Sequence, residues 1–303
     1  MTAGLSWIGA RARWVMVWGA FAGLAFPDGA AALRPYLPFF VAMVYALAML
    51  RIDPIAVLRR LTSPRPALIA LCQVTLLLVV TPVIAFAVAR LLSLGPDYEA
   101  ALVYTFAAPP IASAAAMCLI IGFHGGRALE ITILASLVMP VAGPLVAEIL
   151  LGSALDISPL ALGLRMAAMI LGGFAAAMVG RYLMGVERIA RNAPALDGVA
   201  ALGFLLFIMP VFDGVRDTII AMPWLALSFL GVSALIILGV TWAALVLPGD
   251  RARNGAFGVV WGTRSISIYL AALPPDPVFS LFVAIYQLPM AALALVFKGK
   301  AGS

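Results

Sequence analysis

The residue with the plainest chemical demand is Arg264, in the apolar stretch GAFGVVWGTRSISIYLAAL from Gly255 to Leu273. With about ten residues on either side and a rise of 1.5 Å per residue, a helical Arg264 lies about 15 Å deep, with snorkelling as the bland alternative to a functional role. An arginine at such depth costs from about 2.5 to more than 10 kcal/mol, so something must offset it. Two chemistries qualify. Its donors can satisfy carbonyls left free at helix ends, where the dipoles present partial negative charge, making it a tethered substitute for a bound cation. Alternatively it grips a carboxylate or sulfonate in bidentate fashion. Gly262 is the companion break, and Thr263 and Ser265 offer hydroxyls beside it.

A second interruption is stronger. In YTFAAPPIASAAAMCLIIG, Pro110 removes a backbone donor and its ring disfavours helical geometry at Pro109. Ser113 follows with a hydroxyl. Gly262 comes 153 positions after Pro109, and an odd number of spans in each half would invert the second half relative to the first. Discontinuous helices meeting near the midplane are the arrangement from which secondary carriers build substrate sites. Gln73 and Gln287 are further candidates for an ion site or a polar core, with helix-to-helix hydrogen bonding as the alternative role. Arg165, nearer its span's end, reads as an interfacial snorkelling residue.

Other chemistry is missing from the pattern. The acids fall at joints or span ends, and His124 is the only histidine, in the turn GFHGG. No paired aspartates, Ser with Lys or His, or metal-ligand spacing occurs at depth, so an enzyme, a metal centre and a cofactor are not expected. Cys72 and Cys118 sit in separate apolar runs and read as packing residues.

The elements that must carry these residues follow from composition. Of 303 residues, 65% are hydrophobic and 11% charged, and mean hydropathy is +1.13, which excludes a water-soluble domain and makes the lipid bilayer the surroundings. Apolar runs and start signals predict an all-α integral membrane protein with ten spans, near 14–33, 35–50, 64–92, 97–123, 127–151, 158–184, 193–212, 220–247, 253–273 and 277–297. Ser63-Pro64, Ser158-Pro159 and Asp276-Pro277 each place a capping oxygen before a proline at the first helical position. Asp53-Pro54 does so for a short basic interfacial segment, DPIAVLRRL. Arg11 and Arg13 before the apolar run from Trp14 to Phe26 imitate a signal peptide; an uncleaved first span is expected.

Charge supports this count. Lys and Arg concentrate on the cytoplasmic side. With the N-terminus inside, fourteen of the 19 basic residues fall in inner joints, three (Arg34, Arg90 and Arg216) in outer ones, and Arg165 and Arg264 inside spans. Both termini are therefore expected in the cytoplasm, and the net charge of +6 reports topology without nucleic acid binding. Two five-span repeats result, residues 1–152 and 153–303, inverted relative to each other, with broken fourth and ninth helices.

On these features the chain resembles the bile acid:sodium symporter superfamily, and more loosely sodium/proton antiporters of the same ten-span inverted-repeat fold. The resemblance runs from about Trp14 to Phe297 and is carried by RIDP with LRRLTSPRP, by Pro82, by AAPPIASAAAMCLIIGFHGGRALEITILASL and by GTRSISIYLAALPPDPVFSLFVAIYQLP. It implies a panel of helices 1, 2, 6 and 7, a core of helices 3–5 and 8–10, and two broken helices that cross where sodium and an organic anion bind. The family's Ser-Asn pair falls on Ser113 and Ala114, and its Glu, Gln and Asn of the ninth span fall on Val259, Thr263 and Arg264. Its third-span glutamine falls on Leu77, with Gln73 one turn away, and the fifth-span hydroxyls correspond to Thr132 and Ser136. Much of the sodium chemistry is thus replaced. The resemblance implies an inner-membrane (plasma membrane) carrier of a small organic anion working by alternating access. The substrate positions are Arg264, Thr263, Ser265, Gly262, Pro109, Pro110 and Ser113. A sensor built on a carrier fold and a relative of arsenite efflux permeases are the alternatives, and the oligomeric state is left open.

Overall fold

Backbone N–H and C=O groups in hydrocarbon must find partners within their own segment, so the apolar runs close into helices. The computed structural model of the protein describes residues 2–52, 59, 62–152 and 157–298, and among them every named element is a helix. In the first half these are α1 (Thr2–Gly9), α2 (Ala12–Ala25), α3 (Pro27–Leu33), α4 (Leu37–Met49), α5 (Pro64–Thr75), α6 (Thr81–Leu91), α7 (Pro96–Ala107), α8 (Ala114–Ile121) and α9 (Gly125–Leu151). In the second they are α10 (Pro159–Met184), α11 (Val186–Arg191), α12 (Ala193–Val211), α13 (Val215–Ala221), α14 (Pro223–Ala234), α15 (Val240–Val246), α16 (Arg251–Gly262), α17 (Ser267–Ala272) and α18 (Pro277–Phe297). Among the described residues, seven stretches are long and apolar enough to cross a membrane: Pro27–Met49, Pro64–Leu91, Gly125–Leu151, Pro159–Met184, Ala193–Val211, Pro223–Val246 and Pro277–Phe297. The protein is an all-α, multi-pass membrane protein.

Several expectations need correction. The first span was expected to run from 14 to 33, but α2 ends at Ala25, Phe26 leaves helical geometry (φ −121°, ψ 71°), and Pro27 opens α3. The apolar run from Trp14 ends at Phe26, and the chain turns there because proline is suited to a helix's first position and not to its interior. A short 3₁₀ turn, Arg34–Tyr36, joins α3 to α4. Of the expected caps, Ser158 accepts from Ala161 N (3.3 Å) and Asp276 from Val278 N (2.8 Å) and Phe279 N (3.1 Å). Ser63 precedes α5 without a side-chain cap bond. Cys118 is buried as a packing residue, but Cys72 is exposed on α5. The expected interfacial segment 53–61 lies, apart from Arg59, outside the described residues.

A structural duplication appears that composition does not announce. Between α5 and α6 the helix widens into a π turn at Leu76–Val80, and between α14 and α15 another occupies Leu235–Gly239. Helix, π turn and helix each start 159 positions later in the second half: 64 and 223, 76 and 235, 81 and 240. Each π turn is sealed by a threonine hydroxyl one turn on, Thr81 to Leu77 O (2.6 Å) and Thr241 to Ile237 O (2.7 Å).

The helices pack in two groups. In one, α4 lies along α10 and α12, and α12 along α1 and α2. In the other, α9 packs on α7, α8 and α16, α14 on α18, and α15 on α16. The groups meet along α9 and α10, and where α17 lies against α4 and α10.

Candidate functional site: a crossing of two interrupted helices

Both interruptions are present and they touch. α7 ends at Ala108 in extended geometry (φ −77°, ψ 150°), and α16 ends at Thr263 likewise (φ −108°, ψ 108°). The extended residues pair antiparallel, Pro110 opposite Arg264. Ile111 N donates to Thr263 O (3.2 Å) and Ser265 N to Pro109 O (2.8 Å). Both bonds come from residues flanking the pair, as at a non-hydrogen-bonded position of an antiparallel ladder. Pro110 therefore lacks only a donor that this geometry never uses. The proline pair that ends the helix also suits the strand-like crossing.

Ending a helix in the interior leaves carbonyls without N–H partners, and here Arg264 meets them. Its Nε donates to Trp261 O at 3.0 Å, at the end of α16, and its Nη1 to Ala108 O at 3.0 Å, at the end of α7. A longer contact of 3.5 Å joins Nη1 to Leu77 O in the first π turn. One guanidinium thus bonds both broken ends and approaches a third backbone element. The side chain is buried, with 1% exposed, and its carbon centre lies 5.6 Å from the ring of Phe106 and 6.0 Å from that of Trp261, within cation–π range. Among the described residues its charge has no carboxylate partner. Nη2 is buried without a hydrogen bond to any of them.

The next free carbonyl, that of Gly262, accepts from the Tyr286 hydroxyl on α18 at 2.6 Å. Gly262 itself must lack a side chain. A Cβ there would stand 2.9 Å from Ile237 O and 3.1 Å from Ile236 O, in the second π turn. Each π turn therefore faces the crossing, one through the Leu77 carbonyl toward Arg264 and the other through its close seat on Gly262.

The predicted residues distribute around this centre unevenly. Gly262, Thr263, Arg264, Ser265, Pro109 and Pro110 come together. Thr263 is buried with its hydroxyl returned to Val259 O (2.7 Å), and Thr132 on α9 similarly donates to Ala128 O (2.7 Å), so both hydroxyls serve their own helices. Ser136, also on α9, is 3.4 Å from the hydroxyl of Tyr45 on α4, which also meets Ser265. Ser113, half-buried, precedes α8 without a side-chain cap bond. Gln73 and Gln287 are half-buried on α5 and α18, and it is Tyr286 that reaches the crossing.

Sequence reasoning missed Tyr45, a hydroxyl-bearing residue in an apolar helix, a signal it passed over. Leu77 was noted as a lost side-chain ligand, yet its position contributes a main-chain oxygen. Arg165, exposed at the chain surface, donates to Ala272 O at 2.8 Å, at the end of α17. The chain matches no protein-family model and no curated protein.

Proposed function

We propose that this protein is a secondary carrier of a small organic anion, related in design to the bile acid:sodium symporters, in which Arg264 takes the place of a bound cation. One observation carries the reading: a single guanidinium bonds the carbonyl ends of both interrupted helices at their crossing. In a cation-coupled carrier a dissociable ion neutralises such carbonyls and leaves when the site empties. Arg264 remains, so the crossing stays neutralised throughout the cycle. Its unpartnered Nη2 is the donor through which an anion would sense the same centre.

Sodium does not fit the remaining groups well. The family's ligand positions hold Val259, a Thr263 hydroxyl committed to its own helix, and a cation that repels a second one. Transport without a sodium gradient follows.

The ten-span reading divides the chain into two inverted halves, 1–152 and 153–303, and the repeated helix, π turn and helix support it. The group built on α4, α10 and α12 is the panel, and the group containing the crossing is the core that moves against it. The excess of basic residues on one side supports a plasma-membrane topology with both termini in the cytoplasm. Reconstitution tests the reading: anion accumulating inside proteoliposomes supports a carrier, and saturable binding without accumulation replaces it with a sensor.

A further inference from the structure

Two arginines outside the crossing also hold carbonyl ends. Arg165 of α10 donates to Ala272 O at 2.8 Å, and Arg34, between α3 and α4, donates to Leu270 O at 3.4 Å. Arg34 also donates to Pro210 O on α12 at 3.4 Å and to the Ser280 hydroxyl on α18 at 3.5 Å. Both arginines belong to the helix group of α4, α10 and α12. Their acceptors at Leu270, Ala272 and Ser280 belong to the group that carries the crossing.

Beside each arginine lies a cavity. The larger, about 440 Å³, is walled by Pro38, Phe39, Ala42 and Met169, with Arg165 as its charged group. The smaller, about 320 Å³, holds Arg34 and Asp213. Pro38 and Ala271 line both. Apolar walls with one convergent polar group are the composition of a small-molecule site. The Asp213 carboxylate offsets the Arg34 charge in the smaller cavity, whereas no acid stands among the lining residues beside Arg165 in the larger one.

We propose that Arg165 forms an anion-displaceable latch: its guanidinium fastens the end of α17 to α10, with Arg34 making longer contacts from the α4 side, and the charged head of an amphipathic organic anion in the larger cavity withdraws Arg165 and releases it. The exchange replaces a bond to a neutral carbonyl with an ion pair to a full opposite charge, which a sulfonate or carboxylate can make in bidentate fashion. Arg34 adds little resistance, since its bonds sit at the long limit of hydrogen-bond geometry. The latch rests on the carrier reading for its purpose, and its chemistry can be observed without flux.

The test replaces Cys72 with Ser and Cys118 with Ala and introduces Ala271→Cys, half-buried between the cavities. Labelling by a membrane-impermeant thiol reagent in proteoliposomes is followed with benzenesulfonate, and with benzenesulfonamide as the neutral analogue. Benzenesulfonate is expected to speed labelling on the order of tenfold, the equivalent of one charge-assisted bond, and the sulfonamide not to. Arg165→Gln is expected to raise the basal rate and abolish the sulfonate effect, and Arg165→Lys to retain part of it. Equal effects of the two probes, slower labelling with sulfonate, or an unchanged response in Arg165→Gln each overturn the latch. Anion flux with labelling indifferent to sulfonate rejects the latch and leaves the carrier; sulfonate-dependent labelling without flux supports the latch and rejects the carrier.

Discussion

Replacing Arg264 separates two opposed energies. The guanidinium makes two good bonds, at 3.0 Å each, to Trp261 O and Ala108 O; the contact with Leu77 O is too long to count, and that oxygen already accepts from Thr81. Arg264→Met removes both and strands two buried carbonyls, at about 1 to 3 kcal/mol each. Arg264→Gln is neutral and shorter and reaches one carbonyl at most, so it strands one. Against this, removing a buried charge recovers its desolvation cost, and replacing a buried ionic group with an apolar side chain is sometimes stabilising by about 1 to 4 kcal/mol. If the arginine holds the crossing, thermal stability of the purified protein falls in the order wild type, Arg264→Gln, Arg264→Met. Ethylguanidinium at millimolar concentration then partly restores Arg264→Ala, while ethylammonium does so less, having no planar fork to span two carbonyls. A Met variant as stable as wild type would refute the reasoning, because the desolvation cost would then outweigh the carbonyl bonds.

Two other substitutions probe the same centre. Gly262→Ala pushes a methyl group into Ile236 O and Ile237 O and is expected to cost about 1 to 3 kcal/mol of stability, with uptake falling as α16 leaves the π turn; unchanged melting would mean that the approach is looser. Tyr286→Phe keeps the ring and deletes the donor to Gly262 O, so a loss of about 1 to 3 kcal/mol in thermal unfolding is expected, and none if that carbonyl finds another partner.

What the chain disclosed in advance depends on where each signal resides. Pro109 and Pro110 announce a break by their own covalent chemistry, and Arg264 announces a buried demand because no apolar helix carries a cation without an offset. The π turns announce nothing. Their residues, LLLVV and LIILG, are ordinary apolar sequence, and the widening is visible only in which carbonyls face Arg264 and Gly262. The partners of Arg34 and Arg165 were hidden for a related reason. Apart from the Ser280 hydroxyl, those acceptors are main-chain oxygens, which every residue carries, and those of Leu270 and Ala272 lie 236 and 107 positions away. The first span was also read straight through Phe26, across a turn that Pro27 imposes.

The central claim is that a tethered guanidinium replaces a dissociable cation. Radiolabelled anion uptake into proteoliposomes, measured in choline medium and in sodium medium for wild type and Arg264→Gln, tests it most directly. The account predicts equal wild-type uptake in the two media and little uptake by Arg264→Gln in either. Wild-type uptake that requires sodium, or an Arg264→Gln variant that transports as well as wild type, would contradict it.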